Sequence, residues 1–452
     1  MSKGKYTIAA GLLVGLATSA LVFLAVCVGH EVLFSPNPWG TWDCYARYDG
    51  QHYKHIVAGG YTYSATHSSE VAFFPVFPLL GRLVMTLTGL GPVGSLLLAA
   101  NGALAGACVA FAYYASARAE ALSGTGCADH VRPVAAKSNA TLGTDLKSGA
   151  AESQTAPPDV TARASESRTT IAGRPKRGPP QHVFWCAMLA FGLWPTTMFF
   201  RMTYSESTFL AVAILALFGM ERKWPLLGIA VLVGLGTATR PVGVALVCPF
   251  LLCLWRRSSS RSEFVRRLFV FGPLAVGGLL AYMLFQQIEF HNPIAFAQTQ
   301  EHWNMRPPEL KSEKWESLLC WEPIWSVYDP GGVGCWQRFE NYLPWYLSLI
   351  FANPIYFVGA AGLTAWGCYR QLLTGYEMLL CVSLLAIPYV TRGFEMCMAS
   401  QGRFAAVVFP LYLLLGRGLA RLPRAVAGLV FLAMAGWLVA YAALFGCGYL
   451  LF

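Results

Sequence analysis

From Ile8 to Val28 the chain carries no charged side chain, and about 20 apolar residues in a row are what one helix needs to cross a bilayer. The run is too long for a signal-peptide core and lacks a clean small-residue cleavage site, so it reads as a retained membrane helix. Similar runs recur near 92–116, 183–200, 206–220, 225–239, 241–255, 268–285, 343–367, 376–391, 404–420 and 425–447. With 56% hydrophobic and 12% charged residues, one soluble core could not hide the apolar side chains. The expected class is an all-α polytopic integral membrane protein of roughly eleven transmembrane helices.

Lysine and arginine set the expected orientation. If Lys3 and Lys5 are cytoplasmic, then Arg222-Lys223, Arg256-Arg257 with Arg261, Arg266 and Arg267, Arg370, and Arg417, Arg421 and Arg424 fall on the same side. The formal net charge of +10 is explained by this bias, and no nucleic-acid partner is implied. Phe73 to Leu90 is apolar enough for a span, but its two prolines and Arg82 argue against a full crossing, and counting it would invert everything downstream. It is expected as a juxtamembrane or re-entrant helix in a first outer loop of residues 30–91.

Residues 118–182 turn abruptly to Ala, Ser, Thr, Pro and charge, and are expected as a disordered cytoplasmic insert. Asn139-Ala140-Thr141 matches a glycosylation acceptor but falls on the wrong side for one. Five blocks follow from this division: 1–117, the insert, a central membrane region at 183–285, a second outer loop at 286–342, and a C-terminal membrane region at 343–452. The second loop carries Trp303, Trp315, Trp321, Trp325 and Trp336, residues that serve either sugar stacking or anchoring at a membrane interface. Thirteen cysteines show no CxxC pair or ligand spacing, so no metal site is implied. Cys320 and Cys335 flank a glycine-rich turn in that loop and are a candidate disulfide.

Candidate chemistry lies at the outer face. Asp49 and Asp43 are both placed to act as a general base on an acceptor hydroxyl, or to remain solvated loop carboxylates. Arg201, Arg240 and Arg403 sit at the outer ends of apolar runs. A guanidinium at membrane depth is costly and needs a partner, of which a phosphate is one and a lipid head group another. Glu206 in Tyr204-Ser205-Glu206-Ser207 either positions an acceptor or pairs with an arginine.

Together, Tyr48-Asp49-x-x-His52 through Gly60-Tyr61, Ala72-Phe73-Phe74-Pro75-Val76-Phe77-Pro78-Leu79, Tyr204-Ser205-Glu206-Ser207 and Thr239-Arg240-Pro241-Val242-Gly243 resemble the PIG-V family, the second GPI mannosyltransferase, and its bacterial relatives. The resemblance touches residues 42–80, 195–250 and 395–420. It implies a GT-C glycosyltransferase fold and transfer of a sugar, usually mannose, from a polyprenyl-phosphate donor to a glycolipid or glycan acceptor with inversion. It implies Asp49 as the base, because its distance to Gly60-Tyr61 fits the family pattern while that of Asp43 does not. Tyr48 stands where the family has Trp. On this reading Arg240 and Arg403 stabilise the departing lipid phosphate, His52 and Glu206 orient substrates, and Tyr48, Asp43 and Arg201 complete the substrate site. No cofactor is implied. The membrane would be a bacterial inner membrane, or the endoplasmic reticulum of a eukaryote. A transporter or flippase gripping a phosphorylated substrate is the competing class; inverted repeats would favour it, and the sequence contains none.

Overall fold

The computed structural model describes residues 3–33, 42–123, 180–340 and 343–449, and every regular element among them is helical. The long elements are α1 (Lys3–Val28), α2 (Asp49–Gly59), α3 (Val76–Thr88), α4 (Pro92–Ser123), α5 (Pro180–Leu193), α6 (Glu206–Glu221), α7 (Leu226–Thr239), α8 (Val247–Arg257) and α9 (Arg261–Phe290). They are followed by short helices in the second loop and by helices Leu349–Tyr369, Gly375–Pro388, Pro410–Leu419 and Arg424–Cys447.

Each expected span meets a helix, but eleven full crossings do not follow. Among the described residues, five segments are long and apolar enough: Lys3–Val32, Pro92–Ala119, Arg261–Phe290, Leu349–Tyr369 and Arg424–Cys447. A sixth appears if Gln181–Leu193 and Pro195–Arg201, bent by 69°, count as one. Proline explains the shortfall. Pro195, Pro241 and Pro410 each interrupt an apolar run, because proline lacks the amide donor and clashes with the preceding turn. The lipid-facing character is plain on α9, where Phe269, Val270 and Ile288 are 77%, 61% and 68% exposed. Water would not tolerate such a face, and the chain is a multi-pass membrane protein.

The segment after Phe73 behaves as its prolines require. α3 has 13 residues, about 20 Å of helix against a hydrocarbon core of about 30 Å. Its Arg82 turns back to donate to the Ile56 and Val57 carbonyls at 2.8 and 3.3 Å, closing the end of α2. Leu79, Leu83 and Leu87 face outward along one side, as suits a helix lying at an interface.

The helix before the composition change runs further than that change indicates. α4 runs on to Ser123, and Arg118 forms a two-point ion pair with the buried Glu377 at 2.8 and 2.9 Å. A charge that the sequence assigns to the insert is therefore part of the helix bundle. Residues 124–179, with Asn139, lie outside the described residues. At mid-bundle Phe111 stacks on Phe191 at 4.5 Å, with Tyr412 edge-on to both, joining α4, α5 and the Pro410–Leu419 helix.

Candidate active site

A cavity of about 880 Å³ opens between α2, the break after α7, the second loop and the segment 387–404. Asp49 reaches it from the first turn of α2, where the helix dipole favours a carboxylate. That helix starts under constraint. Tyr48 holds φ 53° and ψ −119°, a conformation that costs a bulky residue on the order of 1–3 kcal/mol. Two contacts hold it there: its hydroxyl donates to the Gly448 carbonyl at 2.9 Å and its ring meets Phe445 edge-on at 5.9 Å. Position 50 must be glycine because a Cβ there would collide with the Thr203 hydroxyl. The tight approach seats α2 against the turn that precedes Glu206.

Arg240 arrives by a helix break. Pro241 ends α7, leaving Arg240 extended at φ −155° and ψ 153°, with its side chain buried toward the cavity. Arg403 arrives by a clamp: Gly402 donates to Asn353 Oδ1 at 2.9 Å and accepts from Thr196 Oγ1 at 3.0 Å. A Cβ at Gly402 would stand 2.7 Å from that same Oδ1, so the clamp also requires glycine. Just before it, Cys397, Met398 and Ser400 all take positive φ, which makes the 397–400 turn a strained one.

These residues form one chain of ion pairs. Asp49 Oδ2 lies 2.7 Å from Arg403 Nη2, Glu206 Oε1 lies 2.8 Å from Arg403 Nε, and the same oxygen lies 2.5 Å from Arg240 Nη1. The Arg403 guanidinium also lies against the Tyr204, Phe404 and Phe199 rings at 5.2, 5.5 and 5.6 Å, and Arg240 against Phe404 at 5.8 Å. Burial works against ionisation of Asp49, but the Arg403 charge and hydrogen bond, helped by His52 and Arg240, outweigh it and hold the carboxyl below its ordinary value. His52, one turn along α2, stacks on Phe73 at 4.7 Å and sits 3.8 Å from Glu70. Burial pushes its pKa down, and Asp49 and Glu70 only partly oppose that.

The sequence-derived candidates divide. Asp49, His52, Tyr48, Glu206, Arg240 and Arg403 all line the cavity. Arg201 does not: it is 1% exposed and spends its guanidinium on the Thr197 and Gly192 carbonyls and the Thr18 hydroxyl. Gly192 lies just before the break at Pro195 and Thr197 just after it, so Arg201 ties the two sides of the bend together and stands outside the cavity lining. Asp43 is likewise removed from the substrate site, engaged by Lys54 at 2.8 Å and outside the cavity lining. Glu206 is 1% exposed and fixes two arginines, which leaves it to position them rather than a substrate. The Cys320–Cys335 disulfide is not formed. Cys320 is exposed after the Lys314–Leu319 helix, whereas Cys335 is buried at the start of the Trp336–Phe339 helix, and both are free thiols.

Arg392 and Asn304 also line the cavity, without a motif to mark them. Arg392 follows Pro388 at the end of an apolar helix, the same signal that marks Arg240. It donates to the Gln300 carbonyl at 3.1 Å and forms no ion pair with a carboxylate among the described residues. Asn304 follows Trp303, and its Oδ1 is buried without a hydrogen-bond partner among the described residues. No metal-holding cluster of His, Cys, Asp or Glu occurs among the described residues.

No protein-family model matches the chain, and no curated protein matches it. Among solved structures, it is similar to the crystal structure of the Archaeoglobus fulgidus oligosaccharyltransferase in complex with Zn and sulfate, at 10% identity and a TM-score of 0.41. The match covers 94% of this chain and 53% of the other, so the chain spans about half the length of that protein.

Proposed function

We propose that this chain is an inverting GT-C glycosyltransferase. It moves a sugar, mannose in our reading, from a polyprenyl-phosphate donor to a lipid-linked or other acceptor on the extracytoplasmic face of the membrane. The observation that carries the reading is the charge balance of the cavity. Arg240 and Arg403 are matched by Glu206 and Asp49, and the outer pairs Lys314–Glu395 at 2.5 Å and Lys311–Glu301 at 3.4 Å also cancel. Arg392 remains over, and one extra cation suits the single negative charge of a phosphodiester. Beside the arginines the lining turns apolar, with Val242, Val244, Ile387 and Pro388, as an isoprenoid tail entering from the bilayer requires.

The chemistry follows from the same pairs. With Arg403 bound to it, Asp49 is ionised but a weak base. A donor phosphate drawn onto Arg392, Arg240 and Arg403 loosens the Asp49–Arg403 pair, so the carboxylate gains basicity when the donor is in place. Asp49 then takes the acceptor hydroxyl proton, the acceptor oxygen bonds to the anomeric carbon, and the carbon–oxygen bond to phosphate breaks with its electron pair leaving on the lipid phosphate. Arg240 and Arg403 stabilise that developing charge. Tyr48, through its strained backbone, aims Asp49.

The test is incubation of the purified protein with polyprenyl-phosphate mannose and a panel of glycolipid acceptors. We expect a mannosylated product from the wild type and none above background from Asp49→Asn. Uptake of the labelled donor into sealed proteoliposomes without any transferred sugar would overturn the reading in favour of a transporter.

A further inference from the structure

The cavity has a second wall that the charge chain does not use. Of the five tryptophans in the second loop, Trp303 lines the cavity, while Trp315, Trp321 and Trp325 point outward with at least half their surface exposed. Trp303 meets His52 edge-on at 5.8 Å and Phe73 at 6.1 Å, while His52 and Phe73 lie parallel, so three rings form a corner. The corner is anchored from below: Thr299, four residues before Trp303, exchanges hydrogen bonds with Ser69 at 2.9 and 3.2 Å. Asn304, next to Trp303 in the lining, adds an Oδ1 that is buried without a hydrogen-bond partner among the described residues. A buried acceptor without a donor calls for one from a ligand.

Flat aromatic faces beside an unfilled acceptor and a carboxylate match one kind of ligand. A pyranose ring presents C–H groups on its face and hydroxyl donors around its edge. We infer that the His52–Phe73–Trp303 corner is the subsite for the acceptor's terminal hexopyranose, with a ring hydroxyl donating to Asn304 and the reacting hydroxyl turned to Asp49. This rests on the glycosyltransferase reading. The acceptor, rather than the donor sugar, is assigned because Asp49 stands between the two sides of the cavity. On one side are Arg403, Arg240, Phe404 and the apolar flank; on the other is His52, one turn along α2. The corner is built from α2 and the segments around Phe73 and Trp303, none of them part of the long apolar spans, where a water-exposed glycan arrives.

The test has a binding arm and a kinetic arm, both on the full chain in detergent, with Trp303→Leu, Trp303→Phe and Asn304→Ala. The binding probes are methyl α-D-mannopyranoside, glucopyranoside and galactopyranoside, read by saturation-transfer NMR. We expect saturation of at least one probe on the wild type, most of it kept in Trp303→Phe and lost in Trp303→Leu. In transfer assays Trp303→Leu should raise the acceptor KM about 3–10-fold, and Asn304→Ala by a similar factor, with kcat and donor KM little changed. If Trp303→Leu fails to fold, Trp303→Ala and Asn304→Ala decide, and it is these truncations, not Trp303→Phe, whose binding is compared with the wild type. A wild type that binds none of the three probes, variants that bind as the wild type does, or a rise confined to the donor KM would overturn the assignment. A wild type that binds a hexoside through Trp303 yet transfers nothing would leave the subsite standing and remove the glycosyltransferase reading.

Discussion

Two of the buried charge clusters among the described residues stand at opposite ends of α6, and the two are built to opposite specifications. At the far end, Glu377 is 0% exposed and has both oxygens filled: Arg118 binds it at two points, the Tyr114 hydroxyl donates to Oε1, and the Thr374 amide donates to Oε2 at 2.6 Å. Thr374 and Glu377 also form a capping box, and Thr374 reaches on to Glu221 at 2.9 Å. This end is a clasp across α4, α6 and the Gly375–Pro388 helix. At the cavity end the Asp49 side chain is 30% exposed and Glu206 shares one oxygen between two guanidiniums. A saturated pair can only hold; an open one can exchange its partner. Buried charge alone therefore does not mark a site in a membrane-embedded chain, and access with unfilled bonding capacity does.

The sharpest way to break the contrast is at the two carboxylates. Asp49→Asn should lower transfer about 10²–10⁴-fold, the usual cost of a positioned base, with binding and folding kept. Asp43→Asn should be mild, since it loses only the partly exposed Lys54 pair. Single-turnover assays at equal expression check both, and an inactive Asp43 variant beside a normal Asp49 variant would reverse the roles. The converse holds at the clasp. Glu377→Gln strips a buried ion pair of one partner, a change that costs about 3–5 kcal/mol. Thermal unfolding should show that loss, while the rate per folded molecule stays near wild type.

A smaller effect probes the arginines. Arg240→Lys, Arg403→Lys and Arg392→Lys keep charge but lose the planar fork, and each should weaken donor binding by about tenfold or more. Donor titrations check this; Arg201→Lys belongs with the clasp and should lower thermal stability instead. Unchanged donor affinity in all three cavity variants would return them to a structural role.

What the sequence discloses, and what it hides, follows the range of the forces involved. Helix positions were legible because apolar runs and prolines act locally, down to Pro241 ending α7 and exposing Arg240 to the cavity. Arg240 and Arg403 are legible because a charge at the end of an apolar run must find a partner, whereas Asp49 is separated from Asp43 only by the family resemblance. Arg392, four residues past Pro388, likewise stands at the end of an apolar run. Arg201 misleads for a reason no sequence reveals: its partners are backbone carbonyls on either side of the bend at Pro195, brought together only once the chain turns. Trp303 could not be told from its four neighbours, because Ser69 and His52, which place it, lie more than 200 residues earlier. The spacing of Cys320 and Cys335 says nothing of which way each thiol faces.

The smallest effect separates the two ends by pH. In the folded chain burial lowers the pKa of His52, with Asp49, Glu70 and His55 as the charges facing it, whereas the unfolded residue titrates near 6.5. A group whose folded pKa is depressed takes up its proton more readily when unfolded. Its contribution to stability is therefore complete above pH 6.5 and is lost as pH falls through 6.5 toward the folded value. The thermal midpoint of the wild type relative to His52→Gln should be constant above that pH and decline below it. Since the clasp lies at the other end of α6, the same decline should appear between Glu377→Gln and the double variant, because distant sites add. A flat difference would mean that His52 titrates alike in both states. A difference that grows on acidification would mean that Asp49 and Glu70 win over burial, leaving His52 charged in the cavity and ill-suited to a neutral sugar ring.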